Sequence, residues 1–275
     1  MTVWLALLLL LLGVVASTIG SIVGLGGGVI IVPGLLFLSG LLPSLAGVTA
    51  QVAVGTSLLV VVFTALSSTL SYMKQKRVDV KSGLLFFIAS GPASMFGAWL
   101  NQHVTSERFQ AFFGLFLILM AFLLSIRDRI RPRRVKWHVE RLYVEAGTGR
   151  EYRYGYNHWI ALAVSFVAGM MAGFFGIGGG ALMVPMMVIF FAFPPQLATA
   201  TSMFTILLTS SFGSLTHVFL GNINWLVALL LIPGAWAGGK LGSWISSRMS
   251  GKALIWFTRL AIAGVGLNLL IEGLW

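Results

Sequence analysis

Long apolar runs, broken by glycine, proline and short charged stretches, organise this chain. Five come first, at Val3–Val23, Val29–Leu42, Ala50–Met73, Ser82–Leu100 and Phe109–Ile126. Five more follow a basic stretch, at His158–Phe175, Ala181–Phe193, Leu197–Leu220, Trp225–Ser246 and Ala253–Leu270. A helix of roughly 20 residues covers the ~30 Å apolar core of a bilayer, and most runs reach that length. The second run of each set has only about 14 residues, or ~21 Å of helix, so each reads as a short or broken segment.

Composition turns these runs into a class. Of 275 residues, 58% are hydrophobic and 9% charged, too few charges to cover a water-facing surface. The expected fold is an all-α polytopic membrane protein with 8–10 transmembrane segments. The absence of cysteine removes disulfides and thiolate chemistry. Trp4–Ala16 resembles the apolar core of a signal peptide but has no basic segment before it, so it reads as the first span.

The net charge of +11 is localised. Nine of the 18 Lys and Arg lie between Arg127 and Arg153, and four more between Lys74 and Lys81. Basic loops beside spans mark the cytoplasmic side, which places both loops inside and speaks against a nucleic-acid partner. Uncharged Gly221–Asn224 then falls outside, and Arg248 and Lys252 inside. Parity favours counting the short segments as crossings. That gives ten spans, periplasmic termini and two halves of opposite orientation. The expected organisation is a first repeat over 1–126, a basic cytoplasmic loop over 127–157 and a second repeat over 158–275. Val135–Glu145 and Arg150–Tyr156, flanking Ala146–Gly149, suit a small β-hairpin; a linker against lipid is the alternative. In either form the Arg127–Arg153 loop suits anionic head groups.

The halves are copies. Gly24-Leu25-Gly26-Gly27-Gly28 with Pro33 recurs as Gly176-Ile177-Gly178-Gly179-Gly180 with Pro185, 152 positions later. At an offset of 145, Gln51, Ala53, Thr56 and Ser57 fall on Gln196, Ala198, Thr201 and Ser202; at 141, Pro92 and Gly97 fall on Pro233 and Gly238. Inverted repeats with broken helices point to a secondary transporter whose site lies where the repeats meet. Successive glycines break a helix at depth, and the helix that restarts presents unpaired N–H groups and a positive dipole end. Gly26–Gly28 and Gly178–Gly180 are therefore candidate cradles for a small anion, against the alternative that they serve close packing alone. Ser202, Thr205, Thr209, Gly213 and Thr216 share one helical face, as do Ser57, Val60, Thr64, Ser68 and Ser71. Such hydroxyls either line a path or bond neighbouring helices. Gln51, Thr56, Ser57, Gln196, Thr201 and Ser202 join the candidate substrate-binding set.

These blocks resemble the TauE/SafE family of sulfite exporters and sulfonate permeases. The likeness rests on the paired G-x-G-G-G motifs with Pro33 and Pro185, on A-x-x-T-S at Ala53–Ser57 and Ala198–Ser202, and on Pro233-Gly234-Ala235 leading to Gly238 and Gly242. It covers nearly everything outside the basic loop. The first half departs from it, with Gly91-Pro92-Ala93-Ser94 in place of the Pro-Gly-Ala stretch. The resemblance implies transport of sulfite, organosulfonates or related small sulfur anions across a bacterial inner membrane, with export the favoured direction and no cofactor.

Other signals are weaker. Gly176-x-Gly178-x-x-Ala181 lacks a βαβ context, and Gly234-x-x-x-x-Gly239-Lys240 has Leu241 where a P-loop needs Ser or Thr, so neither supports nucleotide binding. Lys240 and Arg259 sit some 10 Å inside the cytoplasmic face, placed for an intramembrane charge or for snorkelling. His217 is a candidate proton group or a cap on its helix. Carboxylates are missing from mid-span, Asp79 being in a loop and Glu272 terminal. The competing functions are an anion channel, a non-transporting assembly or lipid-binding protein, and an intramembrane enzyme, for which Ser211 and Ser214 are badly spaced from His217.

Overall fold

A computed structural model describes residues 3–126, 137–144, 149–250 and a few single positions beyond 250. Its helices are α1 Val3–Val23, α2 Gly28–Leu41, α3 Ala50–Lys74, α4 Val80–Asn101, α5 Ser106–Ile126, α6 His158–Phe175, α7 Gly180–Phe190, α8 Pro195–Phe219 and α9 Trp225–Ser246. Strands β1 Val139–Val144 and β2 Glu151–Tyr156 pair antiparallel between α5 and α6. Among the described residues, α1, α3, α4, α6 and α9 are long and apolar enough to cross a bilayer. The all-α polytopic membrane architecture read from the sequence is the one observed. Only single positions of the expected tenth span are described, and Arg259 and Glu272 lie outside the described residues.

Local chemistry sets where the helices begin. The Asp79, Asn157 and Asn224 side chains accept from the backbone N–H of Ser82, Trp159 and Val227, satisfying donors that a helix start otherwise leaves open. The starts of α2 and α7 use no side chain. Each is capped by a left-handed glycine, Gly27 at φ +92° and Gly179 at φ +84°.

The helices exchange partners between halves. α9 packs along α1 and α3 of the first half, and α4 along α6 and α8 of the second. Gly234, Gly238 and Gly242 on α9 lie directly on the α1 backbone at Leu10, Val14 and Thr18, while Gly169 and Gly173 on α6 lie on the α4 backbone at Ser90 and Ser94. Small residues at four-residue spacing let backbones touch, which is how helices gain contact area where lipid offers no hydrophobic drive. Shared hydroxyl hydrogen bonds add to this: Ser17–Thr64 at 2.7 Å, Ser21–Ser68 at 2.6 Å and Ser90–Thr209 at 2.7 Å.

α3 and α8 cross the centre in opposite directions, tied at both ends by the same bond. Asn224 N–H donates to Thr56 Oγ1 at one end, and Asp79 N–H donates to Thr201 Oγ1 at the other, each at 3.0 Å. The hairpin sits at the Asp79 end. There Arg141 pairs with Asp79, Tyr154 donates to the same carboxylate at 3.0 Å, and Arg77 donates to the carbonyl of Ser247 after α9. The basic loop after α3, the hairpin and the turn after α9 thus share one end, and Gly221–Asn224 lies at the other. Tyr154 and Tyr156 are buried against Phe86, Phe191 and Phe193.

Candidate functional site

The two glycine breaks meet in the middle of the bundle. In the first, Gly24, Gly26 and Gly27 hold φ between +81° and +92°; in the second, Gly176, Gly178 and Gly179 hold φ between +72° and +84°. Residues with a Cβ pay about 1–2 kcal/mol in this conformation, so glycine is what lets the chain turn without regular hydrogen bonds at this depth. The turns pack reciprocally. A Cβ on Gly28 would strike the carbonyl of Gly176, and one on Gly180 would strike the carbonyl of Gly24. Every residue from 24 to 28 and from 176 to 180 is buried.

Each break is pinned by the helix opposite. Ser57 Oγ on α3 donates to the Gly176 carbonyl, and Ser202 Oγ on α8 donates to the Gly24 carbonyl, both at 2.9 Å. Gly26 and Gly178 face the same pair of side chains, Val61 and Ile206. Contacts that map onto one another when the halves are exchanged are the mark of an approximate two-fold relation.

Beyond each break a helix begins. In α2 the first intrahelical bonds run from Ile30 and Ile31 to Gly27 O, and in α7 from Leu182 and Met183 to Gly179 O. The N–H groups of Gly28 and Val29, and of Gly180 and Ala181, precede those bonds and have no acceptor within their own helix. They carry the positive dipole ends of α2 and α7, while α1 and α6 end at Val23 and Phe175 with their negative ends at the same breaks.

The other candidates separate. Thr56 and Thr201 hold the helix starts at Asn224 and Asp79, and so accept bonds instead of facing the breaks. Gln51 Nε2 donates to Val104 O at 2.7 Å, at the Gly221–Asn224 end. Gln196 lies at the start of α8, at the hairpin end. Thr64, Ser68 and Thr209 are bonded to hydroxyls of α1 and α4. His217 is fully buried near the far end of α8, with Nε2 3.4 Å from Gly173 O and Nδ1 3.5 Å from Asn222 Nδ2. Lys240 is exposed on the outer face of α9, away from the breaks.

The breaks are also met by two residues outside the candidate set. Thr199 meets Gly24 through its backbone, and Ser210 places its Oγ against Gly178. Both side chains are buried and neither makes a hydrogen bond. The signal available in the sequence was the repeat itself, since offset 145 sets Thr199 over Val54 and Ser210 over Ala65.

The family model described as "Sulfite exporter TauE/SafE" matches residues 9–269. The chain belongs to this family. The TauE/SafE membership agrees with curated relatives that match over most of their length. "Probable membrane transporter protein YunE" of Bacillus subtilis is 47% identical over 97% of this chain and 98% of its own. "Probable membrane transporter protein MJ0441" of Methanocaldococcus jannaschii is 27% identical over 96% and 95%. A "Probable membrane transporter protein" of Xylella fastidiosa (strain Temecula1) is 27% identical over 86% and 83%. No solved structure matches the chain. This TauE/SafE protein is a multi-pass membrane transporter.

Proposed function

We propose that the protein is a secondary transporter of small sulfur oxyanions, sulfite or organosulfonates, exporting them across the bacterial inner membrane, with the hairpin end in the cytoplasm and the two repeats inverted. The observation that carries this reading is the reciprocal pair of glycine breaks, with the starts of α2 and α7 at the bundle centre. A species between those starts has to accept hydrogen bonds, because backbone N–H groups only donate. Where it lies against the N–H groups of the two helix starts, on the far side from the ends of α1 and α6, it also benefits from negative charge, since no carboxylate lies mid-span to oppose it.

Alternating access fits better than an open pore. Both breaks are buried from either end, so passage requires one end to open while the other stays shut. The exchange of α4 and α9 between halves supplies bodies that can rock about the α3–α8 crossing. Basic side chains at the hairpin end support a cytoplasmic placement there, and they attract both anionic lipid and anionic cargo.

The test is sulfite flux into proteoliposomes, paired with melting of detergent-purified protein against sulfite, thiosulfate, sulfoacetate, chloride and phosphate. A ligand at 100 times its Kd adds about 2.7 kcal/mol of stability, enough to resolve. Saturable sulfite flux with selective stabilisation by a sulfur anion is the expected result. Flux that never saturates favours a channel. Neither flux nor stabilisation with any sulfur anion overturns the reading.

A further inference from the structure

We infer that the two glycine breaks are not equivalent, and that the anion is held at the second, between the start of α7 and the hydroxyl of Ser210. The inference rests on the transport reading above and deepens it by naming the side chain that grips the cargo.

Gly26 and Gly178 are matched positions, and around both stand Val61 and Ile206. The difference is one atom. Ser210 Oγ lies 2.9 Å from where a Cβ of Gly178 would stand, and the residue that repeats Ser210 in the first half is Ala65. Gly178 immediately precedes the cap of α7, so this hydroxyl adjoins the helix start whose N–H groups lack intrahelical acceptors.

Ser210 is fully buried and has no hydrogen-bond partner. Except for Thr199, whose hydroxyl is also unbonded, other hydroxyls on the same helix do not behave so. Thr205, Ser211 and Thr216 each donate to the carbonyl four residues back, the usual outlet for a hydroxyl in a helix. Ser202 donates to the Gly24 carbonyl instead. Ser210 takes neither course, although an unsatisfied buried hydroxyl is costly. A cost of that kind is retained where the group has an occasional partner. The partner has to accept from an O–H and from N–H groups at once, and has to fit where only glycine fits. A small oxyanion meets both demands, since several oxygens on one centre can each accept a bond. Ser57 and Ser202 cannot serve in the same way, because each has spent its only proton on a backbone carbonyl.

The experiment uses full-length protein in proteoliposomes with sulfite as the probe, comparing wild type with Ser210→Ala, Ser210→Cys and Ser210→Thr. Loss of a hydrogen bond to a charged acceptor raises the half-saturating sulfite concentration about tenfold or more in Ser210→Ala. Ser210→Cys, close in size and a weak donor, should shift it similarly, while Ser210→Thr keeps the donor and stays near wild type. Melting of the detergent-purified proteins gives a second readout that does not need flux. The sulfite-induced stabilisation should shrink in Ala and Cys while the melting temperature without sulfite holds. If Ser210→Ala and Ser210→Cys retain the wild-type half-saturation, or lose basal stability but keep the full sulfite-induced shift, the hydroxyl is structural and the inference is overturned with transport intact. Should wild type neither move nor respond to sulfite, thiosulfate or sulfoacetate, the transport reading fails, and this inference with it.

Discussion

The first and second glycine breaks share a backbone and differ in what faces them. Both turn through three left-handed glycines, both start a short helix containing a proline, and both have one carbonyl tied to a serine of the opposite half. The backbones of Thr199 and Val54, repeats of each other, meet Gly24 and Gly176 alike. Gly26 has the apolar Val61 and Ile206 nearest to it, while Gly178 has the same pair and the Ser210 hydroxyl as well. Duplication thus fixed the backbone, where a Cβ on Gly28 or Gly180 collides with the other copy, and left single side chains on α3 and α8 to diverge. What is symmetric here is what the fold needs; what is asymmetric is where selection for a cargo has room to act.

The largest effects should come from the shared backbone. Gly27→Leu and Gly179→Leu each force a side chain into positive φ, with the carbonyls of Ala16 and Ala168 at 3.0 and 3.1 Å from the new Cβ. Both should abolish sulfite flux while the protein still inserts, as read by membrane-fraction yield and by uptake in proteoliposomes. A break that tolerates leucine with wild-type flux is not part of the cradle, and tolerance at one alone would end the claim of backbone equivalence.

Ser57→Ala and Ser202→Ala come next. Each leaves a buried carbonyl without its 2.9 Å donor, at a cost of about 1–3 kcal/mol. Equal losses in melting temperature are expected, since the two bonds are copies. A loss confined to one serine would show that the breaks are held differently. Ser210→Ala, by contrast, should leave basal stability near wild type and act on sulfite affinity.

How much of this was legible in the sequence depends on the range of the interaction. The spans were readable because an apolar run is a local property, and Val3–Val23, His158–Phe175 and Trp225–Ser246 stand where they were expected. The breaks were readable because three glycines and their repeat leave few alternatives. The partners were not. Gln51 and Gln196 belong to the candidate substrate-binding set, yet Gln51 is held by a carbonyl 53 residues away. The face of α8 carrying the most hydroxyls, Ser202 with Thr205 and Thr209, overlaps only at Ser202 with the face that meets the breaks, through Ser202, Ile206 and Ser210. Helical periodicity identifies faces but not which one looks inward when every face is apolar enough for lipid. Asp79 shows the same limit: a lone loop carboxylate in sequence, it is where α4 begins, where α8 is tied and where the hairpin docks.

That last residue separates the two ends of the molecule as Ser210 separates the two breaks. Asn224 repeats Asp79 in capping its helix and in donating its N–H to a threonine, but the described residues place no ion pair on it. Asp79→Asn keeps the cap and removes the charge. It should loosen the hairpin, measured as faster proteolysis between 137 and 156, while melting of the helical core changes by about 1 kcal/mol or less, because Arg141 is partly exposed. Unchanged proteolysis would assign docking to the aromatic contacts of Tyr154 and Tyr156 alone.

The smallest effect is one of pH. Burial, with the Asp79 carboxylate beside it, pushes the Tyr154 hydroxyl up from its ordinary value near 10. The docked hairpin therefore favours the protonated phenol, which donates to Asp79 at 3.0 Å. A group whose pKa is higher when docked lends its full stabilisation below its undocked pKa and loses it only as pH climbs beyond. Docking should thus be flat between pH 7 and 9 and weaken only above about pH 10. Tyr154→Phe removes the bond and with it the alkaline dependence, leaving the ring packing on Phe193 at 4.4 Å between centroids. An alkaline loss of docking that persists in Tyr154→Phe would belong to another group at this end, and the Tyr154–Asp79 bond would then contribute packing geometry but not the pH response.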